Sequence, residues 1–137
     1  MLKRALPWMD LVACLVILGL ALRFGAHNAV WYTGLLVAAI SMPLWVVARV
    51  QLGSSFSVRP EARSLVTRGL YSRIRHPVYL FGIGAYFGAF LALQIWPILA
   101  FWLTLTPIEV VRARREDRVL AQAFGPDYEA YRTKTWF

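Results

Sequence analysis

The stretch from residue 77 to residue 108 contains no charged side chain and is apolar almost throughout. A single straight helix over this stretch would be about 48 Å long at the helical rise per residue. The hydrocarbon core of a bilayer is only about 30 Å thick, so one crossing cannot accommodate it. The segment LQIWP, residues 93–97, interrupts the stretch with a polar residue, an interfacial tryptophan and a helix-breaking proline. We therefore predict a helical hairpin with arms at 77–93 and 96–111.

Two further apolar segments precede this hairpin. Residues 29–48 are free of charge over a length that suits one membrane crossing. Residues 8–23 follow a positively charged start, as in a signal peptide, but Arg23 stands where a cleavage site needs small residues, so we interpret them as a retained first span. Hydrophobic residues make up 59% of the chain, more than in soluble domains. The prediction is a single domain over 1–137, an all-α integral membrane protein with about four transmembrane helices.

The basic residues predict the orientation of these spans. The chain has 15 Lys and Arg against 7 acidic residues, a net charge of +8. All the basic residues except Arg23 lie before the first span, in the loop 49–76 or in the tail 112–137. The positive-inside rule assigns these three regions to the cytosol. Both termini are therefore expected to be cytosolic in a multi-pass protein of the inner or cytoplasmic membrane. With so apolar a chain, the positive charge indicates anionic membrane lipids as partners and not nucleic acid.

Neither a disulfide nor a metal site is expected. The single cysteine, Cys14, lies inside an apolar run, where helix packing is its expected role. No cluster of Cys and His residues has the spacing of metal ligands. His27 falls in the turn between the first two spans and is expected to be exposed.

The sequence RIRHPVYLFGIG, residues 73–84, places cationic groups at the start of an apolar helix. Pro77 suits the first turn of a helix, which makes His76 its cap residue. With Arg75 beside it, this helix start could bind an anion such as a carboxylate. One stripe of the helix carries rings and an apolar residue inwards from the interface, at His76, Tyr79, Ile83 and Tyr86. Gly82 lies close to that stripe and favours ligand approach, whereas Gly84 and Gly88 form a GxxxG pair typical of helix packing.

The tail, RARREDRVLAQAFGPDYEAYR, is the second stretch that could carry chemistry. Arg112 and Glu116 are four residues apart on one helix face and could pair. Glu116 and Asp117 are adjacent acids within a basic run, so they either hold the cation of a ligand or orient Arg112. Gly125 and Pro126 form a helix stop signal. The tyrosines that follow, at positions 128 and 131, either anchor the tail at the interface or return towards the loop.

These motifs, taken in order, resemble the isoprenylcysteine carboxyl methyltransferase family, whose wider relatives include membrane phospholipid N-methyltransferases. The resemblance covers about residues 49–137 and rests on LGSSFS, LVTRGLYSRIRHPVYLFGIG and REDRVLAQAFGPDYEAY. It implies an integral membrane enzyme that transfers a methyl group from S-adenosyl-L-methionine. The cofactor would sit at the cytosolic membrane boundary under the C-terminal segment, and a lipophilic acceptor would enter from the bilayer. No strand–helix alternation of a soluble, Rossmann-like methyltransferase is present, so helix ends and loops would have to hold the cofactor.

The resemblance also implies which residues form the site. The adenosine side would be lined by Leu65, Val66, Thr67, Gly69 and Tyr71. The methionine portion would contact His76, Tyr79, Gly82 and Gly84, and Arg75, beside the helix start, is a further candidate for cofactor binding. Glu116 and Asp117 stand where relatives often have two glutamates, and Tyr128 with Tyr131 matches the paired tyrosines of the closing segment. Glu116 and Arg112 are the candidate catalytic residues. No general base is evident, and methyl transfer draws most on positioning of the reactants and exclusion of water.

One departure from the family pattern leaves the acceptor open. Relatives commonly continue beyond the last tyrosine to an arginine and a proline, whereas Phe137 stands near the position of that arginine here. Arg132 or Lys134 could replace it as the contact of a carboxylate acceptor, or the acceptor is another group. Oxygen, nitrogen and sulfur acceptors therefore remain open, and the GxxxG pair could serve packing within one chain or a homodimer.

Three other functions are compatible with parts of the sequence. A small four-helix transporter needs an ionisable residue deep in its bundle, and its candidates, Asp10 and Glu109, lie near span ends. A non-catalytic protein that binds membrane lipid through its basic surface would depend on the arginines alone. A sterol-reductase-like nicotinamide enzyme has a similar C-terminal pattern, but the short chain leaves little room for a larger cofactor and a sterol. The motif series favours the methyltransferase.

Overall fold

The computed structural model of the chain describes residues 2–53 and 65–137, with side chains from Trp8 onwards. Parts of two predicted features lie outside the described residues: the SSFS part of the loop motif and the charged loop residues Arg59, Glu61 and Arg63. The described chain folds into helices, which are α1 (Leu2–Phe24), α2 (Ala29–Leu52), a 3₁₀ helix (Gly69–Ser72), α3 (Pro77–Leu93), α4 (Trp96–Phe124) and α5 (Pro126–Lys134). The all-helical fold class is thereby confirmed for these residues.

The helix ends lie where local signals predict them. Helix α3 begins at Pro77 with His76 as its cap residue and ends at Leu93, where Gln94 adopts a left-handed conformation with φ of 59°. Helix α4 continues without a break from the predicted span into the tail, as far as Phe124. Gly125, at φ of 49°, then separates α4 from α5. The positive φ suits glycine, which has no Cβ to clash.

Small residues allow α2 and α3 to pack closely along their length. A Cβ atom on Gly88 would lie only 2.5 Å from the backbone nitrogen of Ala38, and one on Gly34 only 2.5 Å from that of Ala92. Gly84 faces Ser41, whose Oγ would be 2.6 Å from an added Cβ. These distances confirm the packing role predicted for Gly84 and Gly88, because any side chain there would separate the two helices.

Helix α1 packs against α3 and completes the buried core. Cys14 is fully buried in a cluster with Trp45, Ala85 and Ala89, which confirms its predicted packing role. At the opposite end of the bundle, the side-chain amides of Asn28 and Gln94 exchange hydrogen bonds of 3.1 and 3.0 Å. These bonds hold the α1–α2 connection beside the α3–α4 connection.

The outer surface of the bundle is apolar. Many large hydrophobic side chains on α1, α2 and α4 are exposed, among them Val16, Leu36, Ile40 and Phe101. Among the described residues, Ala29–Leu52 is the one helix whose length and composition suit a membrane crossing, and Pro77–Leu93 is apolar but shorter. The number of crossings and the transmembrane hairpin stay predictions.

Candidate functional site

A cavity of about 380 Å³ opens between the ends of α1 and α2, the start of α3 and the middle of α4. Seven of the predicted site residues line it: Tyr71, Arg75, His76, Tyr79, Gly82, Arg112 and Glu116. The stripe predicted on α3 also reaches its wall in full, because Ile83 and Tyr86 line the cavity with His76 and Tyr79. The predicted site residues thus come from two distant stretches of sequence, 71–82 and 112–116, and meet around one space.

His76 is buried in the cavity wall, where both its backbone and its ring are held. Its backbone N–H donates to the main-chain oxygen of Phe137 at 2.9 Å. The ring nitrogen Nε2 lies 2.8 Å from Oδ1 of Asp117, and Nδ1 lies 3.9 Å from Oε2 of Glu116. The rings of Tyr79 and Phe137 flank the imidazole, with centroid distances of 5.8 and 6.1 Å. The imidazole therefore has a defined orientation between the two adjacent acids of α4.

Asp117 lies behind His76 and does not line the cavity. Burial raises the pKa of its carboxyl group, but hydrogen bonds with His76 and Tyr128 and the nearby charge of Arg75 outweigh burial, so the pKa is lowered overall. Both hydrogen-bond partners reach the same oxygen, Oδ1, and Arg75 Nη1 lies 3.6 Å from Oδ2. Asp117 is therefore an anion at neutral pH and can only accept hydrogen bonds there.

Glu116, by contrast, lines the cavity and is less readily ionised. Burial raises the pKa of its carboxyl group, and the adjacent Asp117 raises it further. The nearby His76, a hydrogen bond with Tyr79 and the charge of Arg112 oppose this rise without cancelling it. A carboxyl group with a raised pKa in a cleft is suited to exchanging a proton with a ligand or holding its cation.

Arg112 lies on the same wall one helical turn from Glu109, and its Nη1 is 3.1 Å from Glu109 Oε1. Both residues line the cavity. Arg132 and Lys134, the alternatives considered for an acceptor carboxylate, are exposed on α5 and lie outside the cavity lining. Any acceptor anion in this cavity would therefore meet Arg49, Arg75 or Arg112, and not Arg132 or Lys134.

Sequence reasoning missed a charged cluster at the ends of α1 and α2. Arg49 forms an ion pair with Asp10, and its guanidinium lies 4.6 Å from the ring centroid of Trp45. Tyr86 donates a hydrogen bond of 2.6 Å to the backbone oxygen of Asp10. The available signal was that Arg49 ends one charge-free span while Asp10 begins another, which would make them neighbours if the two helices run antiparallel.

One wall of the cavity is formed by aromatic rings. The ring of Tyr86 lies 5.8 Å from that of Trp45 and 6.2 Å from that of Trp102, measured between centroids. Gly82 keeps this wall open, since an added Cβ would lie 3.0 Å from the indole of Trp45. The cavity thus combines this aromatic wall with charged residues, some of which lie directly against the rings.

The remaining predicted site residues lie outside the cavity lining. Gly84 faces α2 instead, and the residues predicted for the adenosine side, Leu65, Val66, Thr67 and Gly69, lie before or at the start of the 3₁₀ helix. Tyr131 donates a hydrogen bond of 2.7 Å to the backbone oxygen of Tyr71, which fastens this segment to α5. Burial raises the pKa of Tyr131 to about 12, so its hydroxyl stays protonated and remains a donor. The tail tyrosines therefore do return to the loop, and they support the site from behind.

The chain is similar in sequence to a known family of methyltransferases. The family model described as phospholipid methyltransferase matches residues 30–127. A protein-S-isoprenylcysteine O-methyltransferase of Dictyostelium discoideum is 27% identical over 125 residues, which cover 79% of this chain and 48% of that protein. The enzyme of the same name from Schizosaccharomyces pombe is 38% identical over 93 residues, covering 64% of this chain and 39% of that protein.

The chain thus spans half or less of the length of these curated relatives. No solved structure matches it. The family match nevertheless covers most of the chain, and it includes all the predicted site residues up to Asp117. The resemblance seen in the sequence motifs is confirmed: the chain is similar to isoprenylcysteine O-methyltransferases and belongs to the phospholipid methyltransferase family.

Proposed function

We propose that this protein transfers a methyl group from S-adenosyl-L-methionine to a lipophilic acceptor at the cytosolic boundary of a membrane. The observation that carries the proposal is the single cavity into which Tyr71, His76, Tyr79 and Glu116 converge. Its volume, about 380 Å³, is within the usual range for small-molecule sites. Its combination of charged and aromatic side chains suits an amphiphilic pair of reactants.

The residues present fit the polar part of S-adenosyl-L-methionine. Glu116 offers a carboxylate to the ammonium group of its methionine portion, and Arg75 offers a guanidinium to the carboxylate. Gly82 and the rings beside it leave an apolar surface for the thioether chain. The tail, fastened by Tyr131 to Tyr71, would cover the adenosine side. When bound, S-adenosyl-L-methionine supplies an electrophilic methyl group on a sulfonium centre.

The protein's own contribution is positioning and exclusion of water. His76 and Tyr79 are held rigidly in the wall, so a reactant placed against them loses little further freedom. Glu116, with its raised pKa, is the residue that could receive a proton if the acceptor releases one. Arg112 and Arg49 line the same cavity and would bind an anionic acceptor group instead. The cavity is therefore compatible both with an acceptor that releases a proton and with an acceptor that carries an anionic group.

The aromatic wall of the cavity supports a lipophilic acceptor. It consists of Trp45, Tyr86 and Trp102, and the outer surfaces of α1 and α4 carry exposed apolar side chains. The names of the two relatives describe an S-isoprenylcysteine acceptor. For this chain we propose the coarser class, a lipid or lipid-like molecule that reaches the site from the bilayer.

The membrane arrangement that we propose has four crossings, at about 8–23, 29–48, 77–93 and 96–111, with both termini cytosolic. Exposed apolar side chains on α1, α2 and α4 support it, because they would be costly in water and favourable in lipid. The cytosolic extension of α4 exposes Arg114, Arg115 and Arg118, which suits the anionic lipids of that leaflet.

Binding of S-adenosyl-L-methionine to the full chain in lipid nanodiscs tests the proposal. Isothermal titration should detect saturable binding by the unmodified protein and a loss of roughly tenfold or more in affinity for Glu116→Gln, since a charge-assisted contact is removed. Glu129→Gln, an exposed change on α5, is the matched control and should bind like the unmodified protein. No binding by folded, unmodified protein would refute the proposed function.

A further inference from the structure

Two predicted site residues lie next to the cavity without lining it. Asp117 and Tyr128 are absent from the cavity lining, although sequence motifs assign both to cofactor binding. Tyr128 is fully buried, and its hydroxyl donates to Oδ1 of Asp117. The same oxygen lies 2.8 Å from Nε2 of His76. They therefore meet the site through two residues that line it, the imidazole of His76 and the guanidinium of Arg75.

The chemistry of these contacts decides which imidazole nitrogen carries the proton. Asp117 is an anion at neutral pH, because His76, Tyr128 and Arg75 together lower its pKa despite its burial. An ionised carboxylate has no hydrogen to donate, so the hydrogen bond at 2.8 Å must use a proton on Nε2. In the neutral imidazole the other nitrogen, Nδ1, then carries a lone pair. Nδ1 is the atom on the side of Glu116, at 3.9 Å from Oε2.

A second set of contacts holds the backbone of the segment that carries His76. The main chain of residues 136 and 137 runs beside residues 73–76, with hydrogen bonds of 3.0 Å from Trp136 N to Arg73 O and 3.1 Å from Arg75 N to Trp136 O. The backbone N–H of His76 donates to Phe137 at 2.9 Å, and the Phe137 ring lies beside the imidazole. With the backbone fixed, the bond to Asp117 determines the ring orientation.

We propose that Asp117 and Tyr128 are positioning residues that hold His76 in its Nε2–H form, so that the Nδ1 lone pair faces the cavity beside Glu116. Glu116 and His76 then form two adjacent hydrogen-bond acceptors, which suit a ligand group carrying several N–H donors. The groups that face the imidazole are Asp117 and Glu116 from α4, Tyr79 from α3 and Arg75 from the preceding segment. The consequence for ligand binding rests on the proposed function, whereas the state of the imidazole does not.

Nitrogen-15 NMR of the full chain in nanodiscs tests the inference directly. The chain has 2 histidines, so His27→Asn, a change in an exposed connection, leaves His76 as the single imidazole signal. In this background the neutral ring should show a protonated Nε2 and an unprotonated Nδ1. The opposite tautomer, or an even mixture, would overturn the proposal even if every other variant failed to fold.

Substitution of the supporting residues supplies the second readout. In Asp117→Asn the side chain can donate as well as accept, so the Nδ1–H form should become populated and affinity for S-adenosyl-L-methionine should fall roughly tenfold. Tyr128→Phe keeps the Asp117 carboxylate, so the Nε2–H tautomer should persist. Asp117→Glu also keeps the negative charge, so it should retain most of the Nε2–H population and most of the affinity that Asp117→Asn loses. Asp127→Asn, an exposed change on α5, is the control.

The two proposals fail in different ways. An unchanged tautomer in folded Asp117→Asn would contradict the positioning role, whatever the protein binds. Absence of S-adenosyl-L-methionine binding together with the expected tautomers would refute the proposed function and leave the positioning role standing.

Discussion

Glu116 is the residue at which the requirements of folding and of ligand binding conflict. Burial is the main reason that its pKa is raised, so its ionised form is less favourable in the folded protein than in the unfolded chain. The folded protein therefore carries a cost at pH values above the pKa of folded Glu116, and that cost fades as the pH falls through this value. A residue retained at such a cost fits a role in ligand binding.

Glu116→Gln is accordingly predicted to raise the melting temperature of the ligand-free protein in nanodiscs at neutral and alkaline pH. The increase should shrink as the pH is lowered, because protonated Glu116 no longer carries the cost of a buried charge. Differential scanning calorimetry across this pH range measures the effect. A melting temperature that falls on substitution at alkaline pH would show that the ionised carboxylate stabilises the fold instead.

The ion pair of Arg49 with Asp10 is a second place where individual side chains affect the stability of the protein. The guanidinium side chain is only 4% exposed and also contacts the Trp45 ring, whereas Asp10 is 44% exposed. A charge as deeply buried as Arg49 depends on its partners, since removal of one leaves it poorly compensated. The exposed pair of Glu129 and Arg132, at 3.7 Å, offers a contrast within the same chain.

A double-mutant cycle of Asp10→Asn and Arg49→Gln should give a coupling energy of about 1 kcal/mol or more in denaturant unfolding. The same cycle on Glu129→Gln and Arg132→Gln should give a value near zero, because both side chains are exposed to solvent. Equal coupling in the two pairs would contradict the structural importance of the Arg49 site.

At the scale of the helices, the packing of α2 on α3 sets the shape of the cavity. Gly34 and Gly88 bring the two backbones together, and the same pair of helices supplies Trp45 and Gly82 to the cavity wall. The distance between the helices therefore determines both the stability of the bundle and the width of the site.

Gly88→Ala is predicted to destabilise the protein by about 2 kcal/mol or more, since the new Cβ would lie 2.5 Å from the Ala38 backbone nitrogen, which cannot rotate away. Gly19→Ala is the matched control, because nothing lies within 4 Å of its added Cβ. At that position the higher helix propensity of alanine should stabilise the folded protein by about 0.5–1 kcal/mol. Thermal unfolding of both variants in the same lipid provides the measurement, and equal effects would contradict the close approach of α2 and α3.

For the whole molecule, the two ends of the bundle differ in character. One end holds the paired connections joined by Asn28 and Gln94, and the other holds the cavity, the tail and the exposed arginines of α4. This separation, with an apolar surface between the ends, is what a bilayer would impose on a chain with a cytosolic site.

Labelling of single introduced cysteines tests that arrangement. Arg118→Cys and Lys134→Cys should react with a membrane-impermeant maleimide only from the cytosolic side, and Ala26→Cys, in the α1–α2 connection, only from the opposite side. The natural Cys14 is fully buried and should stay unreactive in each case. Labelling of Ala26→Cys and Arg118→Cys from the same side would refute the proposed topology.

Most of the helical pattern was predictable because its signals are local. Pro77 marks the start of α3, Gly125 marks the end of α4, and the break at Gln94 follows from residues within one turn. The cavity wall on α3 was predictable for the same reason, since His76, Tyr79 and Tyr86 share one face by helical spacing alone.

The part of the candidate site that could not be predicted from the sequence depends on contacts between helices. Arg49 and Asp10 are distant in sequence, and no spacing rule relates them until α1 and α2 are placed side by side. Likewise Asp117 is adjacent to Glu116 in the chain, yet one residue turns towards the cavity and the other lies behind His76. Successive residues on a helix point about 100° apart, so only the position of the neighbouring helices decides which of them meets the ligand.

The sequence by itself therefore determined the helical segments, their ends, the apolar outer surface and the family, because composition, spacing and motifs are properties of the chain. Only the tertiary structure decided that Arg49 lines the cavity, that Asp117 and Tyr128 lie outside its lining beside His76, and that Gly84 packs on α2. Those assignments depend on which helix faces meet, and close contact between small residues such as Gly34 and Gly88 fixes that arrangement only once the chain has folded.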